Sequence, residues 1–396
     1  MAGVLMQPDD SVSCHLRTEM EREKAVGDED RGRVSRRQFL HVGGTTMLAA
    51  TPIRVATAHQ SAPVPSVGSL TDIGGVRVGH FTDTRRPTGC TAILFDKPAT
   101  AGADYDGSAP GETLGVMLQP VSPLDRIHGV LLAGGGPMGL GATAGVVRFL
   151  DEQRVGYDWG VPNVRVPIVV GAIIDDLAIG DGRIRVGPDE AYRACQAATS
   201  GTVAEGSVGA GAGATVGKIF VARGMPGMKG GIGSASVRLG DVVIAALAVV
   251  NSAGDILDWR SGTIVAGART ADGGGFARSV EVLRRDLETR PAAKAPLADD
   301  PLRATLLVVV GTNVTLTKIQ LTKLAMIANT GAARAINPYH TQGDGDQVIA
   351  VSTGLSNASV SLTALGAIAA EVVADAIVRA VRTATGVAGW TAVRDL

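Results

Sequence analysis

Thr305 opens a run that reads as a buried strand, Thr305-Leu306-Leu307-Val308-Val309-Val310. Inside a chain, its nitrogen is locked in an amide and its hydroxyl has no base of its own. At a chain terminus, the same residue carries a hydroxyl nucleophile and a free amine side by side. An α-amine with a pKa of about 8 is a usable base at neutral pH. Scission between Ala304 and Thr305 would create that catalytic unit. Further along, Asp344-Gly345-Asp346 offers two carboxylates on a tight turn. Such a pair can orient a hydroxyl and an amine, or receive a substrate's ammonium group. Two adjacent carboxylates raise each other's pKa unless a cation lies between them. A calcium loop is the other reading of the turn, but one Asp-x-Asp lacks the further oxygen ligands such a loop needs.

The elements that must position these groups are legible as patterns. Residues 90–95, 127–133, 166–174, 241–250, 305–310 and 348–352 read as strands, several of them apolar on both faces, as in a covered sheet. Residues 140–152, 189–198, 317–336 and 361–383 read as helices, the last so rich in alanine that close packing on a sheet is expected. Residues 285–303 are charged and contain three prolines. They read as an exposed, poorly ordered linker that ends just before Ala304. An ordinary surface loop has the same composition.

Bulk composition narrows the classes. The chain has 396 residues, with hydrophobic residues at 45% and charged ones at 19%, enough for a substantial core. Its 53 glycines lie singly or in short clusters among Ala, Val and Ile, which means tight turns and close backbones rather than a flexible linker. A formal net charge of −1 and 3% aromatics offer neither a basic face nor stacking platforms for nucleic acid. Neither the six histidines nor the three cysteines have metal-ligand spacing, so no metal is expected. Cys90 and Cys195 read as buried free thiols rather than a disulfide. Gly134-Gly135-Gly136 stands between a strand and a helix, as a phosphate loop does. It lacks the Gly-Lys-Ser/Thr ending, and no acidic residue follows at dinucleotide spacing, so no nucleotide cofactor is expected. Gly135 and Gly136 are expected in a tight turn lining a substrate pocket.

Residues 1–60 read as a leader outside the fold. Ser35-Arg36-Arg37-Gln38-Phe39-Leu40 resembles a twin-arginine export signal, followed by a weakly apolar run and a small-x-small site at Ala56-Thr57-Ala58. A periplasmic or secreted protein is the expectation. No later segment is long and apolar enough to span a bilayer, so no membrane association is expected after export.

Four stretches in order carry a resemblance. They are Gly209-Ala210-Gly211-Ala212-Gly213-Ala214-Thr215-Val216-Gly217-Lys218, Lys229-Gly230-Gly231-Ile232-Gly233-Ser234-Ala235-Ser236, Val249-Val250-Asn251, and Ala304-Thr305 through Asn313 with His340-Thr341-Gln342-Gly343-Asp344-Gly345-Asp346. Together they resemble the L-aminopeptidase/D-esterase family of self-processing hydrolases, which includes β-peptidyl aminopeptidases and the nylon-oligomer hydrolase. The resemblance implies an α+β fold, a four-layer αββα sandwich of the N-terminal-nucleophile-hydrolase kind. It implies self-cleavage between Ala304 and Thr305, giving an α chain of residues 61–304 and a β chain of residues 305–396 that stay together, and homo-oligomers, often tetramers of that unit.

By the same resemblance Thr305 is the nucleophile, Asp344 and Asp346 are the acidic pair behind it, and Lys218 and Asn251 are further polar site positions. The Asn251 amide would face the oxyanion, a role worth about 3 kcal/mol elsewhere. Read alone, Asn251 equally closes a strand before Ser252-Ala253-Gly254. Lys218 would hold the Thr305 amine neutral by like-charge repulsion; read alone, it is a solvated lysine. Two departures stand out. Ala304 replaces the Asn or Gly often found before the scissile bond, and Asp175 stands where some members have a tyrosine. Asp175, with Asp176 beside it, is expected to shape the pocket. The expected substrate is a small peptide or amide, attacked to give an acyl-enzyme. An oligoamide of the 6-aminohexanoate type and acyl transfer of the ornithine acetyltransferase kind are the alternatives.

Overall fold

Uninterrupted runs of Val, Ile, Leu and Ala make strands that need cover on both faces, and the fold supplies it in layers. The computed structural model describes residues 67–289, 304–387 and 389–396. The residues of the expected leader and of the linker beyond 289 lie outside these.

Nine strands share one continuous hydrogen-bonded system: β1 Val76–Thr82, β2 Gly89–Asp104, β3 Glu112–Thr113, β4 Arg126–Ala133, β5 Val169–Ile173, β6 Gly231–Leu239, β7 Val242–Asn251, β8 Thr305–Val314 and β9 Gln347–Ser356. The order is β6-β7-β8-β9-β2-β4-β5-β3, with β1 beside β2. β2 is the bend. Its first half pairs with β1 and its last residues, Thr100 to Asp104, pair with β9. The system therefore folds into two facing sheets. Leu307 and Val309 of β8 meet Ile93, Val130 and Val170 in the core between them. On the outer face, Leu306, Val308 and Val310 pack against α4 Lys318–Ala335 and α5 Leu362–Thr383. Leu131, Ala133 and Val169 face α1 Thr143–Glu152 and α2 Pro188–Gln196 on the far side. Three apolar interfaces between four layers make the expected αββα sandwich.

Several expected elements change extent. The strand expected at 90–95 runs on to Asp104 because Asp96-Lys97-Pro98, which reads as a stop, is exposed at a register shift. The strand at 166–174 is split at Pro167 into Arg165–Val166 and β5. The first turns of the helix at 140–152 are a 3-10 segment, Gly136–Ala142. β1 and β6 have no counterpart in the sequence reading. The start of the expected linker is helical, since α3 spans Ser279–Thr289. Cys90 and Cys195 are both free and buried in the cluster under α1 and α2. Among the described residues, no helix is long and apolar enough to cross a membrane.

Candidate active site

The site lies at the head of β8, where three strands bring their chemistry together. β7 runs antiparallel to β8 and sets Asn251 opposite Thr305. β9 runs parallel to β8, which places the Asp344-Gly345-Asp346 turn just ahead of it beside Ala304. Thr305, Asp344, Asp346 and Asn251 are all buried.

The Ala304 carbonyl oxygen is held by two donors. Thr305 Oγ1 donates to the Ala304 carbonyl oxygen at 2.6 Å, and the Gly345 N–H donates to the same oxygen at 3.0 Å. A donor at that distance stabilises charge developing on the oxygen as the carbonyl is attacked. Gly345 has to be a glycine here: a Cβ would stand 2.6 Å from the Ala109 carbonyl oxygen and 3.0 Å from Thr305 Oγ1. The turn is pinned from outside by Gly107 N–H to the Asp346 carbonyl, 3.1 Å, and Ala109 N–H to the Asp344 carbonyl, 3.0 Å.

The two carboxylates divide their contacts. Asp346 Oδ1 accepts the Leu306 N–H at 2.6 Å, fixing the residue after Thr305. Asp344 Oδ2 accepts from the Thr341 N–H and hydroxyl, both at 2.7 Å. Its Oδ1 has no hydrogen-bond partner among the described residues. Burial, then the neighbouring Asp346 charge, push the Asp344 carboxyl up to about 6, against the opposing pull of Thr341 and Lys218.

Asn251 and Lys218 meet directly. Lys218 Nζ donates to Asn251 Oδ1 at 2.7 Å, and the Thr215 N–H donates to the same oxygen at 3.0 Å. Two donors on Oδ1 fix which end of the amide is which, so Nδ2 is the end left to donate. In this state it donates to the Asp175 carbonyl at 3.2 Å. The sequence reading gave Lys218 an electrostatic role; the geometry adds an orienting one.

Asp175 and Asp176 separate. The Asp175 carboxylate caps its own turn by accepting the Leu177 N–H at 3.0 Å, and Gly136 lies against it. Asp176 is a structural hub, not a pocket residue. It is buried in an ion pair with Arg86 and accepts from the Thr88 hydroxyl at 2.6 Å and the Gly135 N–H at 2.9 Å. Gly135 and Gly136 both have positive φ, 97° and 58°, as the tight turn requires. The turn thus leans on the segment that carries the Asp175 carbonyl.

A model of Peptidase family S58 matches residues 68–394. The chain belongs to peptidase family S58. An uncharacterized aminopeptidase of Mycobacterium tuberculosis is 36% identical over 366 residues, covering 83% of this chain and 98% of that protein. A 6-aminohexanoate-oligomer endohydrolase of an Agromyces species is 35% identical over 339 residues, covering 82% and 89%. Among solved structures, a Burkholderia β-aminopeptidase aligns with a TM-score of 0.58 at 24% identity over 81% of this chain and 88% of its own. The L-aminopeptidase D-Ala-esterase/amidase of Ochrobactrum anthropi, described as a variant of the Ntn-hydrolase fold, aligns at 0.58 with 23% identity over 82% and 89%. These likenesses establish the fold, and the family makes the chain a hydrolase.

Three neighbours of the candidate site residues escaped sequence reasoning. Gly345 enters through its backbone N–H, which no residue type encodes. Thr215 enters the same way, although it sits in the glycine-rich stretch that carried the resemblance. His340 was quoted in the motif without a role, and it binds Asp346 Oδ2 through Nδ1 at 3.0 Å.

Proposed function

We propose that this chain is a self-processing amidohydrolase that releases amino-terminal residues from small peptides, amides or esters through an acyl-enzyme on Thr305. The observation that carries the reading is the placement of a buried Thr305 hydroxyl on the Ala304 carbonyl, with the Gly345 N–H on that same oxygen. Thr305 Oγ1 attacks the Ala304 carbonyl carbon, and the oxygen's new charge falls on the Gly345 N–H. Collapse breaks the bond to the Thr305 nitrogen, which takes the proton given up by the hydroxyl. Water then cleaves the ester, returning one proton to Oγ1, passing the other to solvent and leaving a carboxylate on Ala304.

The freed amine of Thr305 is the base for turnover. It takes the hydroxyl proton as Oγ1 attacks a substrate amide and gives it to the departing amine. The Asn251 Nδ2, with its orientation set by Lys218 and Thr215, turns from the Asp175 carbonyl to the substrate oxyanion. Asp344 Oδ1, buried and acceptor-only, suits the ammonium group of an amino-terminal substrate. The motif at Arg36 and Arg37 supports twin-arginine export and a periplasmic or secreted location, and a homo-oligomeric assembly fits the same reading.

Mass spectrometry of the purified protein tests this. A 92-residue fragment beginning at Thr305 is expected, with Thr305→Ala giving an intact, inactive chain. An active preparation containing only unsevered chain would defeat the scheme. The 35% identity to an oligoamide endohydrolase favours a second substrate class. Incubation with 6-aminohexanoate oligomers, alongside amino-acid p-nitroanilides, separates the two.

A further inference from the structure

Behind the Asp346 carboxylate runs a chain of side chains that the proposed reaction does not use. Asp346 Oδ2 meets His340 Nδ1 at 3.0 Å, and His340 Nε2 meets Asn329 Nδ2 at 3.1 Å. The same Asn329 Nδ2 donates to Asp104 Oδ2 at 3.0 Å, while Asn329 Oδ1 accepts from the Tyr339 hydroxyl at 2.7 Å. The Tyr339 ring stacks on the imidazole with centroids 3.9 Å apart. Three elements converge: α4 brings Asn329, the end of β2 brings Asp104, and the loop before β9 brings His340. His340 is held at φ 54°, a left-handed conformation costly for a residue with a Cβ.

The donors fix the protons. The Asn329 amide has two N–H groups, one directed to Asp104 and one to His340 Nε2. Nε2 therefore accepts, and the imidazole proton is on Nδ1, where it donates to Asp346. This tautomer is the neutral one. A second proton on Nε2 would confront the Asn329 N–H, donor against donor. Turning the amide over would relieve that contact, but it would set Oδ1 against the Asp104 carboxylate. Protonation of His340 is thus tied to the state of Asp104. The charges facing the imidazole are Asp346 on its own loop and Asp104 and Asp106 at the end of β2. They raise the His340 pKa, the Asp346 hydrogen bond foremost, while burial raises that of Asp104.

We propose that His340 is a positioning residue for the nucleophile: its Nδ1–H aims Asp346 at the Leu306 N–H, and Asn329 with Asp104 selects the tautomer that does so. The proposal rests on the reading of Thr305 as nucleophile, through which alone Asp346 matters to a reaction. Acid then sets a second imidazole proton against the Asn329 N–H, which pushes the ring from its place behind Asp346, and scission slows.

Two measurements test it, and they fail separately from that reading. The first follows release of the 92-residue fragment from freshly translated chain across a pH series. His340→Ala is expected to slow scission about tenfold or more, because small misplacements at a reacting centre are costly. His340→Asn keeps a donor near the Nδ1 position and should restore most of the rate while flattening the acid limb. Asn329→Asp offers Nε2 an acceptor, favours the imidazolium without the donor-against-donor contact, and should flatten the acid limb. The second measurement is ¹⁵N NMR of histidine-labelled Thr305→Ala chain, which reads the tautomer whether or not the protein is a hydrolase. A neutral, Nδ1-protonated His340 that changes in Asn329→Asp is the expected result. His340→Ala with the parent's rate and pH profile, or an Nε2-protonated His340, overturns the proposal.

Discussion

Asp344 is buried with one oxygen unpartnered among the described residues, and its carboxyl is raised from the usual 3.8 to about 6. A raised carboxyl means that the folded chain binds a proton more tightly than the unfolded one. Between pH 4 and 6 the folded chain therefore loses stability as pH rises, and at neutral pH the ionised group is a net cost. Asp344→Asn keeps an oxygen for Thr341 and replaces the unpartnered oxygen with an uncharged amide. In a Thr305→Ala background, where both chains stay whole, it should stabilise the protein at pH 7 by about 1–3 kcal/mol and give little at pH 4. Thermal melts at the two pH values check this; equal melting temperatures at pH 7 would remove the strain argument. With Thr305 present, the same change should slow scission. At this scale the sequence carried much of the site: Thr305, Asp344, Asp346, Lys218 and Asn251 do converge. It could not carry what depends on backbone direction, such as the Gly345 N–H, or on a distant helix, such as Asn329 behind His340. Asp176 shows the converse error, since its neighbour's position suggested a pocket while burial beside Arg86 made it a hub.

Elements here approach more closely than side chains normally allow, and glycine makes it possible. A Cβ on Gly331 of α4 would run into the Ala370 carbonyl oxygen of α5, and one on Gly233 of β6 would run into the Ala376 carbonyl oxygen. α5 is thereby pressed onto both its helical neighbour and the sheet. Gly331→Val should force the helices apart and destabilise the chain by about 1–3 kcal/mol. A guanidinium denaturation midpoint lowered against the parent would check it, whereas an unchanged midpoint would mean the helices have room to shift. The same glycines explain what the sequence hid. Gly231-Ile232-Gly233-Ser234 lacks the β-branched run of a typical strand, yet it is one, and its glycines admit α5. The alanine-rich stretch at 361–383, in contrast, announced its close packing openly, and α5 spans almost the same residues.

At the scale of the whole molecule, the proposed scission before Thr305 would cut the covalent chain without cutting the fold. Thr305 begins β8, which lies between β7 and β9 in the sheet order, so one neighbour comes from before the cut and the other from after it. α5, from after the cut, packs on β6 and β7 from before it, and α4 packs on β2. Leu306, Val308 and Leu247, Val249 belong to apolar clusters that span both fragments. Separating the fragments would expose those faces to water at about 25 cal/mol per Å² and leave the ladder bonds of β8 to β7 unpaired. The 92-residue fragment should therefore co-elute with the rest of the chain at native size on gel filtration and part from it only in denaturant. Unfolding of the cut protein should remain one cooperative transition. The 92-residue segment expressed alone should fail to fold, since β8 would lack β7 and the helices would lack half their cover. Dissociation of the cut protein under native conditions would contradict the layered packing itself, because no arrangement of these sheets lets β8 leave without opening two cores at once.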